Sequence, residues 1–180
     1  MFLTHKQITP SASNLSPSKG YITLDSAYLA TNRTFHLSVP MKPRLIRPHP
    51  YTNQPIAGVA RGPIIYCVED ADNTWVTDHF KSVVFNTTVP LQESEATIAG
   101  REEVEKETYV AISAEKAAVF MKDAGPFTND TSAAGGLKLR VDRDHREDLR
   151  FVPYYARANR GGKGMMRVGL RIGPFEEVQY

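Results

Sequence analysis

Ala60-Arg61-Gly62-Pro63-Ile64-Ile65-Tyr66-Cys67-Val68-Glu69-Asp70 is the stretch on which the reading of this chain turns. Its apolar run, Ile64 to Val68, lies between a Gly-Pro turn and the acidic, turn-forming residues Glu69-Asp70-Ala71-Asp72-Asn73. A short apolar run bounded by turn signals reads as one fully buried strand. The rest of the chain is expected to pack around it.

On the N-terminal side, residues 1–19 are rich in serine and carry Pro10 and Pro17, the composition of a polar tail. Tyr21-Ile22-Thr23-Leu24-Asp25 and Phe35-His36-Leu37-Ser38-Val39 alternate apolar and polar residues as half-buried strands do, with a short loop through Ala30-Thr31-Asn32-Arg33 between them. Pro40, Pro43, Pro48, Pro50 and Pro55 then exclude a helix and leave a broken edge strand or an extended loop.

On the C-terminal side, Phe80 to Phe85 reads as a strand, and a charged loop leads into the β-branched run Thr108 to Ile112. Ser113 to Met121 fits either the chain's one helix or a strand ending in Val119-Phe120-Met121. Lys122 to Gly136 is a loop, Leu137 to Val141 a strand and Asp142 to Asp148 a hydrophilic turn. Leu149 to Val152 follows, then the turn Gly161-Gly162-Lys163-Gly164, and Met166 to Ile172 alternates as a last strand. About eight short strands with at most one short helix predict an all-β fold, an antiparallel β-sandwich of jelly-roll type.

Composition limits the function classes. The chain has 180 residues, with 22 Lys and Arg against 20 Asp and Glu, a net charge of +2 that gives no electrostatic footprint for nucleic acid. No stretch approaches the roughly 18 consecutive apolar residues of a membrane span. The opening residues lack the apolar core of a secretory signal, so the chain as written reads as cytoplasmic; a longer N-terminus would reopen secretion and the sequons at Asn14, Asn32, Asn86 and Asn129. The single cysteine, Cys67, excludes an internal disulfide and a multi-cysteine zinc site, and its apolar setting makes it core filler, not a nucleophile.

Few residues suggest chemistry. Glu102, Glu103, Glu105 and Glu107 form a run of charge on a polar segment, whereas glycosidic acid/base catalysis needs two carboxyls converging in a pocket. Asp142-Arg143-Asp144-His145-Arg146-Glu147-Asp148 has carboxylates at alternating positions, but it lacks the glycine and closing glutamate of a calcium loop, and its arginines repel a cation. His49, between two prolines, has no partner at ligand spacing and reads as a surface residue. The aromatic candidates for stacking on a sugar are Trp75, Tyr154 and Tyr155, the two tyrosines being expected in buried positions.

The central stretch and Pro153-Tyr154-Tyr155-Ala156-Arg157-Ala158-Asn159-Arg160 together resemble the region behind the catalytic domain of glycoside hydrolase family 127, the β-L-arabinofuranosidase-like enzymes. In that family an Arg-Gly-Pro-apolar-apolar-Tyr-Cys strand and a Pro-Tyr-Tyr-Ala-x-Ala-Asn-Arg motif stand about this far apart. The resemblance runs from about Asn14 to the end and does not include the catalytic (α/α) barrel. It implies that residues 20–59 are the latter part of a first accessory β-domain and residues 60–180 a C-terminal β-sandwich domain. It further implies a non-catalytic role as structural support for the parent enzyme's catalytic barrel, absent from this chain and expected upstream, with arabinose-containing glycans as the parent enzyme's substrates; a nucleic-acid or membrane partner is not expected. The family's cysteine nucleophile and zinc site belong to that barrel, so no catalytic residue, metal or cofactor carries over to this chain. The family places a tryptophan where Arg157 stands and often another near Gly169, rings that fill core or contact positions. A free-standing carbohydrate-binding β-module is the alternative.

Overall fold

The structure, a computed structural model, describes residues 15–18, 21–24, 26–31, 41–98, 107–122, 139–158 and 160–178. The chain divides into two compact units, residues 1–40 and 41–180. In the first, β1 (Leu15–Ser18) and β2 (Tyr21–Leu24) form an antiparallel hairpin, with Leu15 opposite Leu24, and α1 spans Ser26–Thr31. β1 therefore lies within the stretch read as a tail. Its Pro17 is compatible with a strand because a two-stranded hairpin offers only edges. The expected strand at Phe35 to Val39, residues 101–106 and most of the loop at Lys122 to Gly136 lie outside the described residues.

Among its described residues the second unit has ten strands in one sheet: β3 (Pro43–Ile46), β4 (Ile56–Arg61), β5 (Ile64–Glu69), β6 (Val83–Phe85), β7 (Gln92–Ile98), β8 (Glu107–Met121), β9 (Leu139–Pro153), β10 (Met166–Arg167), β11 (Leu170–Arg171) and β12 (Phe175–Val178). Six of them close a ring. β4 pairs with β5, β5 with β9, β9 with β8, β8 with β6, β6 with β11, and β11 returns to β4. The ring removes most free edges, and β3, β7, β10 and β12 attach to it singly.

The period of two along each strand decides what the ring encloses. Ala57 and Val59 of β4, Tyr66 and Val68 of β5, Leu149 and Phe151 of β9, Ile112 and Ala114 of β8, Val83 and Phe85 of β6 and Leu170 of β11 fall in one buried cluster. Each fully buried Val, Leu or Phe contributes roughly 1.5–3 kcal/mol. The residues between them face outward, where Cys67, Val152, Tyr109 and Ala111 form a second cluster against Ala96, Ile98, Met166 and Val168.

The all-β class holds, with differences in detail. The described residues contain twelve strands, not about eight, and two pairings, β6–β11 and β9–β12, are parallel within an otherwise antiparallel set. Ser113 to Met121 is strand, and the short helix is α1. Its alanines are not a helical surface but small residues at crowded positions: Ala114, Ala117 and Ala118 are fully buried.

Asp142 to Asp148 is likewise strand, not turn. β8 and β9 slip register between Ala114 and Ala118, Lys116 takes φ 53°, and its N–H donates to Asp148 Oδ1 at 2.7 Å. The carboxylate thus satisfies a donor that the bulge takes out of the ladder. The expected last strand is broken in two because Met166–Arg167 pairs with β5 and Leu170–Arg171 with β4.

Within the central strand only Tyr66 to Glu69 are buried; Ile65 is 37% exposed. The proline-rich segment supplies the edge strand β3 and a short 3-10 turn, Pro50–Thr52, on which His49 is exposed and accepts the Tyr51 N–H through Nδ1. The division between units falls before Met41, whereas the sequence reading put it at Val59. Val59 lies within β4, which is hydrogen-bonded on both sides, so the chain cannot be parted there without opening the sheet.

Candidate functional site

β5 and β9 bring the two motifs of the sequence side by side, with Tyr66 opposite Pro153, Cys67 opposite Val152 and Val68 opposite Phe151. β5 then ends in the acidic turn and β9 in the 3-10 turn Tyr154–Ala156, so the residues beyond each strand end meet. Arg160 lies between two carboxylates there. Its Nη2 donates to Glu69 Oε2, and its Nη1 donates to Asp72 Oδ1 at 2.7 Å while standing 2.6 Å from Oδ2. Glu69 Oε1 accepts the Ala158 N–H at 2.8 Å, and Asp70 Oδ2 accepts the Lys163 N–H. The side chains of Glu69 and Arg160 are only 8% and 10% exposed.

Asn73, 1% exposed, extends this seam to the middle of β9. Its Oδ1 accepts the Arg150 N–H at 2.9 Å, and its Nδ2 donates to the carbonyls of Arg150, at 3.0 Å, and Glu69, at 2.8 Å. One side chain here does the work of a strand neighbour. The Tyr109 hydroxyl accepts from Arg160 Nη1 at 3.3 Å, and the Arg160 guanidinium lies 5.9 Å from the Tyr109 ring.

Burial opposes the charge on Arg160, but the hydrogen bond and charge of Asp72 and the hydrogen bond of Glu69 outweigh it, holding the guanidinium above its ordinary value. The neighbouring Cys67 thiol is pushed up to about 11, chiefly by burial, with the charge of Glu69 adding to it. A thiol so placed is protonated at neutral pH and inert as a nucleophile. Nor does the acid pair behave as a glycosidase dyad. A general acid must offer a proton to substrate, whereas both oxygens of Glu69 are engaged within a buried ion pair. The arrangement is a clamp.

The family described as "Glycoside hydrolase family 127 C-terminal domain" matches residues 43–171, most of the chain and nearly all of its second unit. The chain belongs to this family. Among solved structures this family 127 C-terminal domain is similar to one titled "Glycoside hydrolase", at 25% identity and a TM-score of 0.52 over 73% of this chain. A GH127 β-L-arabinofuranosidase from Geobacillus stearothermophilus T6 shares the fold at 24% identity and a TM-score of 0.50 over 74% of it. The chain spans 19% of the length of each. No curated protein matches it.

The sequence-predicted aromatic residues are not gathered at one place. Trp75 is half-buried, with edge-to-face contacts to Phe80 at 5.8 Å and Phe120 at 5.3 Å, and Phe120 in turn stacks on His145 at 4.0 Å. None of these contacts involves Tyr154 or Tyr155. Contrary to expectation, those two are 46% and 54% exposed, with Arg157 lying 5.3 Å from the Tyr154 ring. Among the described residues no three His, Cys, Asp or Glu side chains converge as a metal site, and no helix is long and apolar enough to cross a membrane.

Sequence reasoning missed the partnership of Glu69, Asp72 and Arg160. It read the first two as turn formers and the last only as the closing residue of the second motif. A usable signal existed. Both motifs contain charge beside an apolar strand end, and a charge there needs a partner.

Proposed function

We propose that this chain is the non-catalytic C-terminal β-domain of a family 127 β-L-arabinofuranosidase-like glycoside hydrolase, supporting a catalytic barrel that lies outside the matched region. The observation that carries this reading is the match of residues 43–171 to the C-terminal domain, in a chain covering only 19% of its relatives. The clamp agrees with it, since its carboxylates neutralise Arg160 instead of facing a substrate. Retaining hydrolysis of arabinofuranosyl units is then the work of the barrel, with its own metal site.

The test has two parts. The purified chain should release no nitrophenol from an aryl β-L-arabinofuranoside. Added to a family 127 enzyme truncated before its C-terminal domain, it should co-elute with the barrel and raise its melting temperature. Turnover by the chain alone, abolished by Glu69→Gln, would overturn the reading.

A second reading, a carbohydrate-binding module, is favoured by the exposed adjacent rings of Tyr154 and Tyr155. It requires binding of an arabino-oligosaccharide that Tyr154→Ser and Tyr155→Ser remove without loss of stability. Flat calorimetry at millimolar sugar would dismiss it. Trp75→Ala instead reports on packing, because its ring sits against Phe80 and Phe120.

A further inference from the structure

The residues of the Pro-Tyr-Tyr motif divide by where they point. Pro153 pairs with Tyr66, Ala156 is fully buried, and the Ala158 N–H is spent on Glu69. The rings of Tyr154 and Tyr155 serve none of these contacts and are about half exposed. Their backbone is nevertheless fixed, because the Arg157 N–H donates to the Tyr154 carbonyl at 3.2 Å and closes the 3-10 turn above the buried Ala156. Large rings on a fixed turn lose little freedom when they are covered.

Two neighbours extend the patch. One step beyond the last β5–β9 pair, Tyr66 with Pro153, Ile65 and Tyr154 stand at adjacent strand ends. Ile65 lies on the same outer face as Cys67. Around Cys67 and Val152 that face is covered by Tyr109 and Ala111, and at Ile65 the cover has stopped. Arg157 is exposed and lies 5.3 Å from the Tyr154 ring. Tyrosine and arginine beside an uncovered aliphatic side chain are the composition of a protein–protein contact, in which each ring is covered while its hydroxyl reaches the rim.

Two observations choose the occupant. The chain spans 19% of the length of each family 127 relative, so most of such an enzyme lies outside it. The second unit begins at Met41, which packs on the turn between β4 and β5: a Cβ added at Gly62 would stand 2.6 Å from Met41 Sδ, and Arg44 Nη2 donates to the Gly62 carbonyl at 3.3 Å. The registers set that turn and the patch at one end of the sheet, with Arg44 opposite Ala60, Ala60 opposite Ile65 and Ile65 beside Tyr154. Three strand spacings, about 15 Å, separate the entry of the polypeptide from the rings. The rest of an intact enzyme is joined to the domain at that end and is held there at high local concentration. We propose that Ile65, Tyr154, Tyr155 and Arg157 are the face by which this domain docks on the catalytic barrel of its parent enzyme. The proposal rests on the supporting role inferred above and gives that role a place. It also states the partner's chemistry, an apolar hollow whose rim offers hydrogen-bond acceptors to Arg157 and the two tyrosine hydroxyls.

The full chain is titrated by calorimetry into a family 127 β-L-arabinofuranosidase truncated before its C-terminal domain. Tyr51→Ser is the control, since Tyr51 is exposed beyond the other end of the β3–β4 pairing. Wild type and control are expected to bind equally, whereas Tyr154→Ser and Tyr155→Ser each weaken binding at least about tenfold and Ile65→Ser about fivefold, all at unchanged melting temperature of the free chain. Where the truncated enzyme is insoluble, the chain replaces the C-terminal domain of the intact enzyme. Barrel and domain should then melt in one transition, which the paired substitution of Tyr154 and Tyr155 by serine splits in two. No binding by the wild-type chain, or a wild-type chimera that already melts in two steps, overturns the supporting role and this face with it. Binding that all three variants retain overturns the face and leaves the role standing. Self-association of the chain, or saturable binding of an arabino-oligosaccharide, that the tyrosine variants abolish would give the rings to a second copy or to a sugar and overturn the face; so would a lower melting temperature of the free variants, which would place the rings inside this chain.

Discussion

The interior of the ring and the seam beside it hold the same unit together by opposite means. Inside, alternate residues of six strands contribute Val, Leu, Phe and Tyr side chains to one cluster, and the Tyr66 hydroxyl is satisfied by donating to the Val110 carbonyl at 2.8 Å. In the seam, Glu69 and Asn73 are buried and the side chains of Arg160 and Asp72 are only 10% and 13% exposed, but all four carry charge or amide groups. Burial in the interior is favourable in proportion to area and tolerant of shape. In the seam it is favourable only while every partner is present. The comparison teaches that this domain closes by packing but is joined, motif to motif, by paired charge.

Removing one seam partner should therefore produce the largest effect. Arg160→Ala leaves Glu69 buried without a counter-charge and Asp72 with only Arg150 at 3.8 Å, and should cost about 3–5 kcal/mol in urea unfolding. A loss under about 1 kcal/mol would mean that the seam is no more than surface charge. Asn73→Ala comes next. It strips three hydrogen bonds, two of them holding Arg150, and should cost about 2 kcal/mol with local loss of amide protection at Arg150. Leu149→Met, a volume-conserving change at a fully buried interior position, should cost less than about 1.5 kcal/mol. If it costs more than Asn73→Ala, the contrast between the regions fails.

How legible was this in the sequence? The apolar run that places Tyr66 and Val68 and the alternation that places Leu170 were visible, and so was the proline-marked edge that became β3. Ser113 to Met121 was ambiguous because alanine favours helix on its own account, while here its small size fits a bulged strand facing a crowded interior. Asp142 to Asp148 looked like a turn because a strand with solvent on its outer face carries the same residues as a loop. The cue that mattered, Asp148 on the Lys116 N–H, spans 32 residues. The seam was hidden for the same reason, with Arg160 and Glu69 separated by 91 positions. Spacing rules are local, and these partnerships are made only when the ring closes.

The smallest effect concerns the turn before β6. Burial of Asp78 works to raise its carboxyl, but hydrogen bonds from Ser82 and Lys81 outweigh it and hold the group below the usual carboxylate range. A depressed value in the folded state stabilises above the unfolded value of about 4 and loses that contribution as pH falls through the folded value. Asp78→Ala should therefore cost about 1 kcal/mol at neutral pH and progressively less in acid, measured by thermal melts across that range. A penalty that stays constant with pH would place its role elsewhere than in these bonds.

The most direct test of the central claim, that the two motifs are each other's structural partners, is a double-mutant cycle between Glu69→Gln and Arg160→Gln in urea unfolding. The ion pair across β5 and the chain after β9 predicts a coupling of at least about 2 kcal/mol, with the double variant more stable than the sum of the single losses. Additivity within about 0.5 kcal/mol would contradict it and leave the motifs as neighbours without a bond.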